Sequence, residues 1–412
     1  GLDTIRGLLR ELGNPQDDLK FIHIAGTNGK GSVLAYTSTI LSEAGYRTGR
    51  YVSPTVVSYL ERIQVDGRWI PEEKFSELTE KVRDAIARME AAGEDIPTVF
   101  EIETAIAFLY FRERKCDLVV LEAGLGGLLD ATNIVENTVC AVFSSISRDH
   151  LGMIGNTLEE IAENKAGIIK PGCTVVSARQ KPEVRAILLR RARKCGCAYI
   201  QAEPGMMKIT EEDHRGMKFS YREFRDLKSS LAGKSQADNA AAALEVILAL
   251  QKTGWKISIE AVQEGIKKTF WPGRFSCVME DPVFILDGAH NEDAALRLRE
   301  SVESYFPGRR LIYIMGVFRD KEYERIAGIM CPLANSVHTV SLPDERRTLS
   351  AEDLARTVSR YCVRVRAEES VGQAVSQALQ ETGSGDVILA FGSLSYLAEV
   401  KRSLEKERGA GR

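Results

Sequence analysis

The sequence has no basic excess: 55 lysines and arginines face 58 aspartates and glutamates, a formal net charge of -3 over 412 residues. That balance leaves no electrostatic footprint for nucleic acid or an anionic membrane surface. Long apolar runs are missing too. Stretches such as Thr104 to Phe111 and Leu311 to Phe318 fall well short of the roughly 20 residues that cross a bilayer, so no membrane span is expected. The N-terminus carries no signal-peptide pattern, although it starts without methionine and is open to processing. Eight cysteines are scattered, with only Cys195 and Cys197 close together, which fits neither a zinc framework nor a disulfide scaffold. Internal repeats and low-complexity runs are lacking. A cytoplasmic protein with reduced thiols is expected, long enough for two or three domains.

What is present is concentrated at residues 22 to 32, Ile-His-Ile-Ala-Gly-Thr-Asn-Gly-Lys-Gly-Ser, an apolar strand entering a glycine-rich turn. Val33 to Ala44 follows with helical spacing and ends on Gly45, so the turn joins a strand to a helix whose first N–H groups are unpaired. Those donors, the helix dipole and the Lys30 ammonium suit the polyphosphate of ATP, and the Ser32 hydroxyl suits a Mg²⁺ ligand. The string differs from the common P-loop, because three residues separate Gly26 from Lys30 and Gly31 intervenes before Ser32.

From Phe21 to about Ile200 apolar strands alternate with helices, the α/β signature, with strands at 21–25, 118–122, 140–146 and 174–177. Thr157 and Glu160 form a capping box for a helix to Ala166. An alanine-rich helix spans 237–253, and residues 201–235 read as irregular or β-rich. Phe270-Trp271-Pro272-Gly273-Arg274 breaks the pattern, which sets a domain boundary near residue 280 and divides the chain into 1–280 and 281–412. Five strand-helix units follow, near 283–287, 311–315, 336–340, 362–366 and 386–391, and predict a smaller Rossmann-like domain with its loops at the strand ends.

Several residues at such ends can carry chemistry. Glu122 closes the strand Asp117 to Leu121, before Gly124 to Gly127, where a carboxylate suits Mg²⁺. His150 follows the next strand; a lone histidine is commonly packed or superficial, and the strand end shifts it toward function. Lys165 alone reads as a lysine complementing its helix dipole. Asp287 and His290 open the second domain within reach of a ligand held between domains, and a helix cap explains Asp287 equally well. Arg274, in the linker, can close over phosphates.

The order and spacing of these runs resemble the folylpolyglutamate synthase and dihydrofolate synthase family of the Mur ligase superfamily. The matching runs include Leu12 to Pro15, Gly26 to Ser32, Ser53-Pro54, Glu61 to Ile63, Thr98 to Glu101, Gly124 to Gly127 with Leu129 to Asn133, Lys165 to Ile169, Asp238 to Ala241, Pro272 to Arg274 and Asp287 to Asn291. The resemblance implies a P-loop-containing central ATPase domain of Mur-ligase type and a smaller Rossmann-like C-terminal domain. It implies an enzyme that uses ATP to make an acyl phosphate on folate or dihydropteroate, which L-glutamate then attacks. By that similarity Thr27, Asn28, Gly29, Lys30, Gly31 and Ser32 would bind ATP, together with Asn239, Arg274, Asp287 and His290. Ser32 and Glu122 would ligate one Mg²⁺, and His150 with Glu122 a second, organised by Lys165 as a carbamate; Lys30, His150 and Lys165 would be catalytic. Thr98, Phe100, Glu101, Leu129, Asp130 and Ala131 would line the pterin pocket. A monomer is expected.

The chain departs from the family pattern at Thr55, Leu60, Leu128, Ser147, Arg148 and Glu292, mostly around the acceptor pocket and the domain contacts. A peptidoglycan-type Mur enzyme would carry a UDP-binding domain before the loop, and only about twenty residues precede it here. The short N-terminal segment leans toward tetrahydrofolate over dihydropteroate. A nucleotide-binding paralogue without ligase activity, a Mur-type ligase for another carboxylate, and a P-loop hydrolase or kinase are the competing readings.

Overall fold

The computed structural model describes residues 1–149, 152–344 and 346–410. Eight strands form the first sheet: β1 (Phe21–Ala25), β2 (Thr48–Tyr51), β3 (Ile63–Val65), β4 (Arg68–Trp69), β5 (Leu118–Glu122), β6 (Thr138–Phe143), β7 (Thr174–Ser177) and β8 (Ala198–Gln201). Their order is β4-β3-β2-β5-β1-β6-β7-β8. The six from β2 to β8 in that order run parallel, and β3 and β4 add an antiparallel edge. Every residue of β1 and β5 is buried, as strands covered on both faces must be.

Helices Lys30–Glu43, Ser235–Lys252 and Ile259–Lys268 pack on one face, and Asp3–Glu11, Glu72–Ala91 and Val99–Glu113 on the other. The alanine-rich helix is buried almost all round from Asn239 to Leu250 because a second, three-stranded sheet covers its remaining side. That sheet resolves the stretch read as irregular or β-rich. It contains β9 (Lys208–Asp213), β10 (Gly216–Tyr221) and β11 (Phe224–Ser229), and alternate residues Met217, Phe219 and Tyr221 point inward.

The third sheet holds β12 (Ser276–Glu280), β13 (Val283–Leu286), β14 (Leu311–Met315), β15 (Ser336–Thr339), β16 (Val365–Ala367) and β17 (Val387–Phe391), ordered β12-β13-β17-β14-β15-β16. Five strands are parallel, as the pattern predicts, and β12 is an additional antiparallel edge strand. It escaped the sequence reading because it joins β13 directly and has no helix between. The chain therefore enters this sheet at Ser276, ahead of the expected boundary at 280.

Three local expectations need correction. The strand expected to reach Ile146 ends at Phe143, because Ser145 leaves the ladder to accept hydrogen bonds from Thr27 and Asn28 (2.7 and 3.2 Å). The strand expected at 362–366 starts at Val365, and Val363 before it is fully exposed. Thr157 caps its helix by accepting from the Glu160 N–H, but the Glu160 carboxylate returns to Asn156 N at 2.6 Å instead of to Thr157, so the box is half formed. Among the described residues no helix is long and apolar enough to cross a membrane.

Candidate active site

The strand order opens a crevice at the carboxyl end of β1. The chain leaves β1 through helix Lys30–Glu43 to β2 on one side, while β6 flanks β1 on the other; ligands gather at such switch points. Gly29 caps that helix with φ of 90°, a left-handed conformation disfavoured for other residues, and Asn239 occupies the space a side chain there would need. The first helical bond runs from Val33 N to Gly29 O (3.0 Å), so the N–H groups of Lys30, Gly31 and Ser32 precede it and face the crevice with the positive end of the dipole.

Gly31, the departure from the common P-loop, has a structural cause. A Cβ there would lie 2.5 Å from the Trp271 indole nitrogen, so its absence lets the linker tryptophan rest on the first helical turn. Lys30 Nζ donates to the carbonyls of Gly26 (3.3 Å) and Thr27 (3.5 Å) and lies 3.8 Å from Glu122 Oε1. Glu122 is brought beside the loop because β5 inserts between β1 and β2. Burial raises its pKa, and the opposing pull of Lys30 and Arg274 does not cancel that. Ser32 Oγ is buried with no hydrogen-bond partner among the described residues.

The third sheet closes the crevice. A cavity of about 210 Å³ is lined by Thr27, Asn28, Gly29, Lys30, Ser32, Glu122 and Asn239 from one side and by Arg274, Asp287 and His290 from the other. Asp287 accepts from the backbone N–H groups of Phe275 and Ala289, both at 2.8 Å, so it braces the linker that carries Arg274. His290 Nδ1 lies 2.7 Å from Gly288 O; with the proton on that nitrogen, Nε2 is left as an acceptor. Burial and then the Lys321 charge push its pKa down to about 4, so the ring is neutral.

Lys165 does not line the cavity. It sits beneath the loop, donating to Gly26 O at 2.9 Å, and burial followed by the nearby Lys30 charge lowers its pKa to about 7. His150 lies outside the described residues.

The segments expected to form a pterin pocket stand apart from this cavity. Thr98 and Glu101 cap helix Val99–Glu113 reciprocally, with Glu101 Oε2 accepting from Thr98 N (2.7 Å) and Oγ1 (2.8 Å). Phe100 rests against Gly124, Asp130 caps Ala131–Ile134 and accepts from Leu125 N (2.7 Å), Ala131 is buried, and Leu129 is 64% exposed. Among the departures, Ser147 N donates to Thr27 Oγ1 (3.1 Å) and Glu292 pairs with Arg325 (2.7 Å). A second cavity, about 380 Å³, meets the first at Ser53, Pro54, Glu122 and Arg274 and is walled by Trp69 and Trp271.

Sequence reasoning missed the links across the crevice. Asn28 and Asn291 exchange side-chain hydrogen bonds (3.2 and 3.0 Å), Asn28 also donates to Asp293 (2.9 Å), and Lys321 pairs with Asp149 at 3.1 Å. No local signal marks Lys321, since its partner lies 172 residues away. Ser53, whose N–H points at Glu122 Oε2 from 3.4 Å, was visible only as part of a Ser-Pro motif.

Under the loop, fully buried His23 on β1 lies 2.9 Å from Thr132 Oγ1, which donates onward to Asp130; His23 Nδ1 has no hydrogen-bond partner among the described residues. Burial, then Lys170, lowers its pKa from 6.5 to about 3. Above pH 6.5 both folded and unfolded states hold it neutral. Between 6.5 and about 3 only the unfolded chain takes the proton, so stability falls as pH drops, by up to ~5 kcal/mol from this residue. His290, down to about 4, adds a loss of the same sign. Melting temperatures should therefore decline steeply from pH 6.5 to 4, and His23→Leu should flatten that slope while lowering stability at pH 7.

Comparisons with known proteins identify the family and the fold. The family description "Mur ligase middle domain" matches residues 24–247, and "Mur ligase, glutamate ligase domain" matches 273–394. The dihydrofolate synthase/folylpolyglutamate synthase of Bacillus subtilis (strain 168) is 34% identical, over 98% of this chain and 95% of its own. Among solved structures, the folylpolyglutamate synthase of Thermotoga maritima superposes with a TM-score of 0.86 at 33% identity, covering 99% of this chain and 94% of that one. Escherichia coli FolC in complex with DHPP and ADP gives 0.87 at 30% identity, covering 99% and 94%.

Proposed function

This chain belongs to the dihydrofolate synthase and folylpolyglutamate synthase family of Mur ligases, and on that premise we propose that it joins L-glutamate to the carboxylate of a folate or of dihydropteroate at the expense of ATP. The observation that carries the reading is the convergence of the Lys30 loop and Glu122 with Arg274, Asp287 and His290 from the third sheet on one cavity. An unactivated carboxylate is a poor electrophile, so its oxygen takes the terminal phosphoryl group of ATP and ADP leaves. The glutamate amine then attacks the acyl phosphate, loses a proton, and expels phosphate as the amide forms.

Each residue has a task in that sequence. The N–H groups after Gly29 and the Lys30 ammonium bind the phosphates and offset charge where two anions must meet. Arg274, whose buried Nε has no hydrogen-bond partner among the described residues, offers a guanidinium to the same phosphates. Neutral His290 accepts a hydrogen bond at Nε2. The Asn28 to Asn291 exchange and the Lys321 to Asp149 pair draw the third sheet onto the loop, which excludes water from the acyl phosphate. Asn239 supports the loop at Gly29.

The donor set fits Mg²⁺. Ser32 Oγ is an orphaned buried oxygen and Glu122 a buried carboxylate, the hard donors this ion takes. Bound there, Mg²⁺ supplies neutralisation of phosphate charge. A role for His150 in a second site rests on the family resemblance alone. Lys165 fits the carbamate reading, because a pKa near 7 leaves much of the amine neutral and able to add CO₂, while the carbamate N–H keeps a donor for Gly26 O. Thr98 to Glu101 and Leu129 to Ala131 remain the proposed pterin-side segments on the same resemblance. We extend the proposal to a monomeric, cytoplasmic enzyme with its cysteines reduced, in keeping with eight free thiols.

The test is ADP release with Mg-ATP and L-glutamate, comparing dihydropteroate, tetrahydrofolate and no acceptor, with product masses recorded. A gain of one glutamyl unit on either acceptor is the expected result. Nucleotide binding without acceptor-dependent ADP release would overturn the reading.

A further inference from the structure

Away from the crevice, three different metal-binding side chains meet. His214 stands in the turn between β9 and β10, Cys277 and Glu280 stand on β12, and one ligand atom of each lies within 4.8 Å of the others. None of them has a task in the ligase reading above.

Local structure explains the convergence. Residues three apart on a regular strand point to opposite faces. Here Cys277 pairs with Ile285 and Met279 with Phe284, so Val278 is an extra residue and the bulge turns Glu280 to the side of Cys277. The His214 ring is held by Phe306, with ring centroids 5.4 Å apart. Its Nε2 is buried, forms no hydrogen bond among the described residues, and lies 3.5 Å from Glu280 Oε2. At 3.5 Å the carboxylate leaves the hydrogen-bonding capacity of this buried nitrogen largely unused, which is costly unless something fills the gap.

We propose that His214 Nε2, Cys277 Sγ and a Glu280 carboxylate oxygen form a three-ligand site for a borderline-soft divalent cation of the Zn²⁺ class, with water completing a tetrahedron. Thiolate with imidazole selects such an ion over Mg²⁺. Donors about 2.0–2.3 Å from a tetrahedral ion stand roughly 3.3–3.8 Å apart, so small side-chain rotations close the present spacing. On binding, the Cys277 thiol proton leaves to solvent and its contact with Met279 O (3.2 Å) is given up. Arg215 donates to Glu280 Oε2 from 3.0 Å, and the carboxylate keeps further lone pairs for the ion. The ion fastens the β9–β10 turn to β12, the strand that follows Arg274, and so restrains movement between the two units.

The test uses Co²⁺ alone, titrated into the metal-free full chain while thiolate-to-cobalt charge-transfer and d–d absorption are followed, with Zn²⁺ as competitor. Saturation at one equivalent and bleaching by Zn²⁺ are expected. Cys277→Ser should lose the charge-transfer band, and His214→Gln and Glu280→Gln should weaken Co²⁺ binding at least ~10-fold. Zn²⁺ should raise the melting temperature of the parent chain and not of Cys277→Ser. A missing band, or one that survives Cys277→Ser, would overturn the proposal, as would unchanged affinity in Glu280→Gln, whose exposed side chain makes misfolding no explanation.

Discussion

Lys30→Ala is expected to lower acceptor-dependent ADP release by about 10²–10³-fold or more, the scale on which one charged donor to a developing anion acts in a water-excluded site. Among the described residues the ammonium donates only to the Gly26 and Thr27 carbonyls and lies 3.8 Å from Glu122, so its removal should change melting little. His290→Ala provides the contrast. Its ring reaches the cavity from the third sheet and is anchored on Gly288, so its loss should mainly weaken nucleotide engagement, raising KM for ATP roughly tenfold with a smaller effect on kcat. Measured turnover of both variants within a few-fold of the parent would move the reaction to another place on the molecule.

Lys165→Ala should cost a similar factor, through a different chemistry. The amine is buried under the loop with its pKa lowered to about 7, so it is half neutral at physiological pH. If it works as a carbamate, the required species is an anion. Formate or acetate should then restore part of the activity to Lys165→Ala, and small amines should not. In the parent enzyme, removing dissolved CO₂ should depress turnover, more so below pH 7, where protonation leaves less amine to react. Rescue by amines in place of carboxylates would mean that Lys165 acts as a cation.

The parts of this site legible in the sequence are those built from neighbours in the chain. The loop at 26–32 could be read because strand, turn and helix start lie within one unit, and the alternation of apolar strands with helices carried the α/β class. The Glu101 carboxylate also has a local task, accepting from the Thr98 N–H at the start of its helix. Gly31 was visible as an oddity, and its reason, the Trp271 indole, lies 240 residues further on. Strand β12 was hidden because direct pairing to β13 leaves no helix to announce it.

By itself the sequence determined the class of fold, the phosphate-binding turn and its lysine, the strand-end positions of Glu122 and Asp287, and the absence of a nucleic-acid or membrane-helix signature, because these depend on spacings of a few residues and on composition. Tertiary structure alone decided that β5 lies between β1 and β2 and so sets Glu122 beside Lys30, that Asn291 and Lys321 reach across to Asn28 and Asp149, and that burial lowers the pKa of the Lys165 amine. Strand order and desolvation are properties of the whole packed chain. Contacts between residues more than a hundred positions apart are set by which buried faces fit together, and no local pattern records that choice.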